Sequence, residues 1–122
     1  MLRCILFCLL FAGTSVSFAQ TVNYPQGYFR NPLDIPILLS GNFGEMRSNH
    51  YHMGLDIKTQ GRENHRVYAA AEGYVSRIRV EPGGYGRAIY ITHPNGYTTV
   101  YAHLNDFTKK IEDYVIAAQS ER

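Results

Sequence analysis

Residues 88–103 read AIYITHPNGYTTVYAH, and this stretch decides the fold class. Pro94-Asn95-Gly96 predicts a tight hairpin turn, because Asn-Gly accepts the positive φ angles that such a turn requires. Before the turn, Ala88 to His93 reads as a strand with Ile89 and Ile91 on one face. After it, Tyr97 to His103 reads as the return strand. Period two places Thr98, Val100 and Ala102 on one side and Tyr97, Thr99, Tyr101 and His103 on the other. A face of Tyr, Thr, Tyr and His is polar and aromatic. It suits the wall of a groove better than a sealed core.

Upstream of the hairpin, Pro82 to Gly86 is a loop, and Tyr74 to Val80 reads as a strand whose second half alternates Arg77, Ile78, Arg79, Val80. Val67 to Ala71 reads as another strand, broken by Glu72-Gly73. A short strand carrying Leu55 and Ile57 lies between Gly54 and Gly61, and Ile35 to Leu39 reads as a short edge strand. Pro25, Gly27, Pro32 and Pro36 make residues 20–40 an extended lead-in. Downstream, the period changes. Phe107, Ile111, Tyr114, Val115 and Ala118 lie at helical spacing, with Asn105 or Asp106 as the expected cap. Strands followed by one amphipathic helix, without βαβ alternation, predict a mainly β protein built on antiparallel sheet.

The chain has 122 residues, enough for one domain. With 45% hydrophobic and 18% charged residues it is neither collagen-like nor low-complexity. A net charge of +2 without a basic stripe argues against a nucleic-acid partner. Residues 1–19, MLRCILFCLLFAGTSVSFA, have the layout of a secretory signal peptide: Arg3, an apolar run from Cys4 to Ala12, and Ser17 and Ala19 at a small-residue cleavage site. A membrane span fits less well, since that run is far shorter than the roughly 20 residues a span needs. Cleavage there removes Cys4 and Cys8, which leaves no disulfide and no thiolate chemistry. An exported, periplasmic or extracellular location follows, with no membrane span after cleavage.

Candidate chemistry falls to the five histidines. The notable cluster is His50-Tyr51-His52-Met53-Gly54-Leu55-Asp56. On a strand, the even offset puts His52 and Asp56 on one face, and Gly54 leaves that face bare between them. An imidazole nitrogen and a carboxylate oxygen aimed at one point are suitable ligands for Zn²⁺. The same spacing also describes a surface ion pair, and spacing alone leaves both readings open. No helical motif with two histidines around a glutamate is present, and neither a phosphate-cradling loop nor a serine nucleophile elbow occurs.

His52-Met53-Gly54-Leu55-Asp56 resembles the H-x-G-x-D motif of the lysostaphin-type, LytM-like zinc metallopeptidases, which cut peptidoglycan cross-bridges. Val67 to Val75 resembles that family's V-x-A-x-x-x-G-x-V segment. Gly84-Tyr85-Gly86, Ile89 to His93 and Asn95-Gly96 resemble its central hairpin, and Tyr101-Ala102-His103-Leu104 resembles its Y-x-H-L motif. The resemblance runs from about Ser40 to Leu104, with the signatures in family order. It implies an antiparallel sandwich or barrel-like fold of the duplicated hybrid motif type. His52 and Asp56 match two of three zinc ligands, and His103 matches a catalytic histidine near the attacking water. Peptidoglycan peptides are the implied substrate, and Zn²⁺ is the cofactor of the complete domain.

One departure matters. The family completes its site with a later H-x-H motif, and no histidine follows His103. The expected organisation is therefore a signal peptide at 1–19, a lead-in at 20–40 and a partial peptidase domain at 41–122, inactive as given. The alternative is a non-catalytic module of the same fold that binds cell wall or activates another hydrolase. His50, His65 and His93 match no ligand of the family, and Glu45, Arg47 and Arg62 read as surface residues or supports around the ligands.

Overall fold

A computed structural model describes residue 24 and residues 26–121. The expected signal peptide at 1–19 lies outside the described residues, as do residues 20–23 and Pro25 of the lead-in. Strand β1 (Leu39–Gly41) pairs antiparallel with β2 (Asp56–Ile57). Strands β3 (Tyr74–Val80), β4 (Arg87–Thr92) and β5 (Thr98–Leu104) form a second antiparallel sheet in the order β3-β4-β5. Helix α1 (Lys109–Ser120) ends the description of regular elements. The protein is mainly β with one C-terminal helix, as expected, and among the described residues its sheets do not close into a barrel.

The β4–β5 hairpin forms as its turn residues dictate. Gly96 adopts φ 83°, its N–H donates to the His93 carbonyl at 2.9 Å, and the His93 N–H donates to Tyr97 at 2.9 Å. Ala88, at the centre of the sheet, is fully buried.

Three expected features differ from the structure. Val67 to Ala71 joins no ladder, and the chain bends at Ala70 and Ala71. Its amides are spent on the lead-in and on a side chain: Tyr68 N–H donates to Pro32 O (2.9 Å), Arg30 N–H donates to Ala70 O (2.8 Å), and Ala70 N–H donates to the Tyr101 hydroxyl (2.7 Å). Pro32 has no N–H to return, so a two-way ladder cannot run there. The edge strand expected at Ile35 to Leu39 starts only at Leu39 and continues to Gly41, because Pro36 interrupts the earlier part. Helix α1 is capped at Thr108 rather than Asn105 or Asp106. Those two residues are engaged by Arg87, whose Nη1 donates to Asn105 O at 3.1 Å and Asp106 Oδ1 at 3.3 Å. The same guanidinium lies over the Phe107 ring and 3.6 Å from Glu112 Oε2, and so fastens the start of the helix to β4.

The best-buried polar group is His93, 3% exposed. Its Nδ1 lies 2.7 Å from Glu72 O and its Nε2 2.9 Å from Thr99 Oγ1. Thr99 Oγ1 is hydrogen-bonded to the Tyr101 hydroxyl at 2.9 Å, and that hydroxyl accepts the Ala70 N–H. A carbonyl can only accept, so Nδ1 carries a proton and donates it to Glu72 O. Thr99 Oγ1 donates to the Tyr101 hydroxyl, which also accepts from Ala70 N–H, and these contacts join Ala70, Tyr101, Thr99, His93 and Glu72 in one connected set. Gly73 makes room for this arrangement, since a Cβ there would stand 2.5 Å from Thr92 O and 3.0 Å from His93 Nδ1.

Replacing His93 with Phe keeps the ring volume and removes both bonds, leaving the Thr99 hydroxyl and the Glu72 carbonyl short of a partner. The expected loss is about 1–3 kcal/mol of unfolding free energy, read from urea denaturation; an unchanged midpoint would contradict this account.

Candidate functional site

The site is built on the β1–β2 pair and the hairpin-like loop that joins them. Register places Gly41 opposite Asp56. Between the strands the chain folds back on itself: Gly44 N–H donates to His52 O (2.7 Å), His52 N–H to Glu45 O (2.8 Å) and Arg47 N–H to His50 O (2.8 Å). These bonds bring the side chains of Glu45, Arg47 and His52 to the end of β2.

His52 and Asp56 meet, with His52 Nε2 3.2 Å from Asp56 Oδ1, but not as two residues of one strand: β2 begins only at Asp56, and His52 lies in the loop before it, which bends at Gly54. His52 Nδ1 lies 3.0 Å from the Asn42 carbonyl, which can only accept, so Nδ1 carries the proton in the neutral ring and the Nε2 lone pair faces Asp56. Arg47 Nη2 also lies 3.4 Å from Nδ1, but two donors do not bond, and the shorter carbonyl contact sets the tautomer. Arg47 Nη2 donates instead to Asp56 Oδ2 at 2.7 Å and to Glu45 Oε2 at 3.2 Å. The His52 side chain is mostly covered, at 18% exposed, whereas Asp56 is 41% exposed, so the pair opens to solvent on the carboxylate side.

Two glycines shape this corner. A Cβ on Gly54 would sit 3.9 Å from His52 Nε2, so Gly54 keeps the approach to the free nitrogen open. A Cβ on Gly41 would collide with the Arg47 guanidinium and stand 2.5 Å from Asp56 Oδ2. The sequence alone marks Arg47 only as a surface residue or support and gives Gly41 no part in the site. The signal that could have located them is the cross-strand position of Gly41 opposite Asp56, which needs the register.

His103 stands on the other sheet. Ala102 and His103 together oppose Ala88, a bulge in β5, and His103 takes φ 56°. A non-glycine residue in that region stores about 1 kcal/mol or more of strain. Its N–H donates to Tyr85 O at 3.0 Å, and its exposed side chain borders a groove of about 750 Å³ that Tyr101, Ile89, Ile91, Val67 and Phe107 also line. Tyr101 and Thr99 thus share the face expected of them, and the bulge breaks the alternation before it reaches His103. No hydrogen bond or ion pair among the described residues links His103 to His52 or Asp56. The remaining histidines are engaged elsewhere, His50 with Asn49, His65 with the Thr59 carbonyl and His93 in the buried chain. Among the described residues, no group of three or more His, Cys, Asp or Glu side chains is arranged to hold a metal ion.

The chain is thus mainly β, with the His-x-Gly-x-Asp pair at the start of β2 and His103 on a bulge of the other sheet. The model of peptidase family M23 matches residues 50–120, a span that includes His52, Asp56 and His103, and the chain belongs to that family. It is 41% identical over 59 residues to the DD-carboxypeptidase/endopeptidase Mpg of Neisseria meningitidis serogroup B, covering 48% of this chain and 13% of that protein. The protein of the same name from Neisseria gonorrhoeae matches to the same extent. An uncharacterized metalloprotease of Haemophilus influenzae is 32% identical over 87 residues, covering 66% of this chain and 18% of its own. The chain thus spans less than a fifth of the length of these curated relatives. No solved structure matches it significantly.

Gly41→Ala is expected to push Arg47 off Asp56 and to cost about 1–3 kcal/mol of stability through overpacking. Urea denaturation with a crystal structure of the variant tests both parts, and an unshifted Arg47 at full stability would refute the crowding argument.

Proposed function

We propose that this chain contributes part of the metal centre of an exported zinc endopeptidase that hydrolyses the cross-link peptides of peptidoglycan. The observation that carries the proposal is the 3.2 Å separation of His52 Nε2 and Asp56 Oδ1. Two donors each about 2.0–2.1 Å from a tetrahedral zinc stand about 3.3 Å apart, so the pair fits two corners of such a centre. The Asn42 carbonyl on His52 Nδ1 is also the support that a metal-binding histidine normally has. The chemistry supplied at a complete centre is polarisation of the scissile carbonyl and acidification of the attacking water.

In this proposal His52 and Asp56 hold the metal, and His103 donates a hydrogen bond to the oxygen that gains negative charge as the carbonyl is attacked. The groove beside His103, walled by Tyr101 and two isoleucines, takes the peptide. A catalytic zinc takes three protein ligands and the described residues offer two, so residues 20–122 alone are proposed to be inactive. Residues 1–19 act as the signal peptide, 20–40 as a lead-in and 41–122 as part of the peptidase domain. Among the described residues no helix is long and apolar enough to cross a membrane.

A second proposal is a non-catalytic module that binds cell wall or activates another hydrolase. The incomplete ligand group among the described residues favours it.

Elemental analysis of the full-length protein and hydrolysis of purified peptidoglycan separate the two. Stoichiometric zinc, lost with activity in His52→Ala and in Asp56→Asn, is the expected result. Retention on peptidoglycan without zinc or hydrolysis would favour the module. His103→Ala should keep its zinc and lose about 10²–10³-fold in kcat/KM; full activity in that variant would remove His103 from the mechanism.

A further inference from the structure

We propose that Arg47 is a positioning residue for the metal centre, holding Asp56 so that the carboxylate binds through Oδ1 alone. The proposal rests on the zinc reading of His52 and Asp56 given above. A carboxylate that is 41% exposed turns easily about its last torsion, so nothing intrinsic keeps either oxygen on the imidazole side. Here Arg47 Nη2 takes Oδ2 at 2.7 Å, which leaves Oδ1 as the oxygen 3.2 Å from His52 Nε2.

Arg47 is itself held. Its Nη2 donates to Glu45 Oε2 at 3.2 Å, and the same oxygen accepts the Asn42 N–H at 3.2 Å. The Asn42 carbonyl in turn takes His52 Nδ1 at 3.0 Å. Both side chains are therefore oriented by one connected set of bonds, running from His52 through Asn42, Glu45 and Arg47 to Asp56. Gly41 completes it by leaving room where a Cβ would strike the guanidinium.

As a contribution to stability, an ion pair this exposed counts for little. Its consequence is directional. A cation beside a metal site also repels the metal, and the two effects have opposite signs. Glu45 decides between them: its carboxylate offsets the charge of Arg47 and leaves the geometric effect intact. Both contacts leave from Nη2, whose two N–H bonds are fixed in the guanidinium plane, whereas a lysine ammonium rotates about its stem.

The test uses the full-length protein, with zinc affinity measured by competition against a chromophoric chelator and the site geometry read from the visible spectrum of the Co²⁺-substituted protein. Arg47→Ala and Arg47→Lys should each bind zinc about 10–100-fold more weakly, and their cobalt bands should weaken as Asp56 shifts towards two-oxygen binding and the coordination number rises. Thermal unfolding of the metal-free variants should match the parent, which separates positioning from a folding defect. Arg30→Ala, which breaks an exposed pair with Asp34 away from the site, should change none of these readings. Tighter zinc binding in Arg47→Ala would show that repulsion dominates and would overturn the proposal, as would affinity and cobalt spectra equal to the parent. If His52→Ala keeps full zinc affinity, the zinc reading itself fails, whatever Arg47 does.

Discussion

The buried chain of hydrogen bonds through His93 is the constraint on which the rest of the structure depends. No strand of the β1–β2 sheet pairs with a strand of the β3–β4–β5 sheet. The lead-in that precedes β1 is tied to the larger sheet through Arg30, Pro32, Tyr68 and Ala70, and Ala70 is tied to Tyr101. Tyr101 belongs to the set that His93 organises, and His93 is fixed on its other side by the carbonyl of Glu72. An imidazole is suited to this place because it joins an acceptor on one flank to a hydroxyl on the other. The rings of Phe29 and Tyr28 meet it edge-on.

Buried apolar area does less here. Leu33, Ala70 and Ala88 are the buried apolar side chains among the described residues, two of them alanines, while Phe43, Met46 and Met53 are well exposed. Alanine contributes little transfer free energy. Directional bonds and tight glycine contacts, at Gly73 and at Gly41, therefore carry much of the specificity that a larger core would otherwise impose.

What the sequence made legible were features whose cause is local. Asn95-Gly96 selects its turn by backbone freedom, and the helical spacing after Phe107 survives in α1. The four-residue offset from His52 to Asp56 brings the two side chains together because β2 begins at Asp56 and the preceding loop curls His52 over it. What stayed hidden depended on partners distant in the chain. Val67 to Ala71 has the composition of a strand, but its partner contains Pro32. Asn105 and Asp106 have the chemistry of caps, but the Asn105 side chain bonds Asn64 and the Asp106 carboxylate accepts from Arg87. The bulge at His103 arises from a register shift across β4, and no pattern within residues 97–103 announces it. Arg47 was visible only as a charge until Gly41 came to lie beside it.

Pro32 has a further consequence. A segment of small and apolar residues outside any ladder is an invitation to pair with another chain. Residues 67–71 are such a segment, and the lead-in lies along them with a partner that accepts at Pro32 and cannot donate there. The lead-in thus acts as a selvedge: it finishes the edge of the fabric without offering a new thread to weave from. With an N–H at position 32 the lead-in would both donate and accept there, as a regular strand does, and that edge would lose its finish.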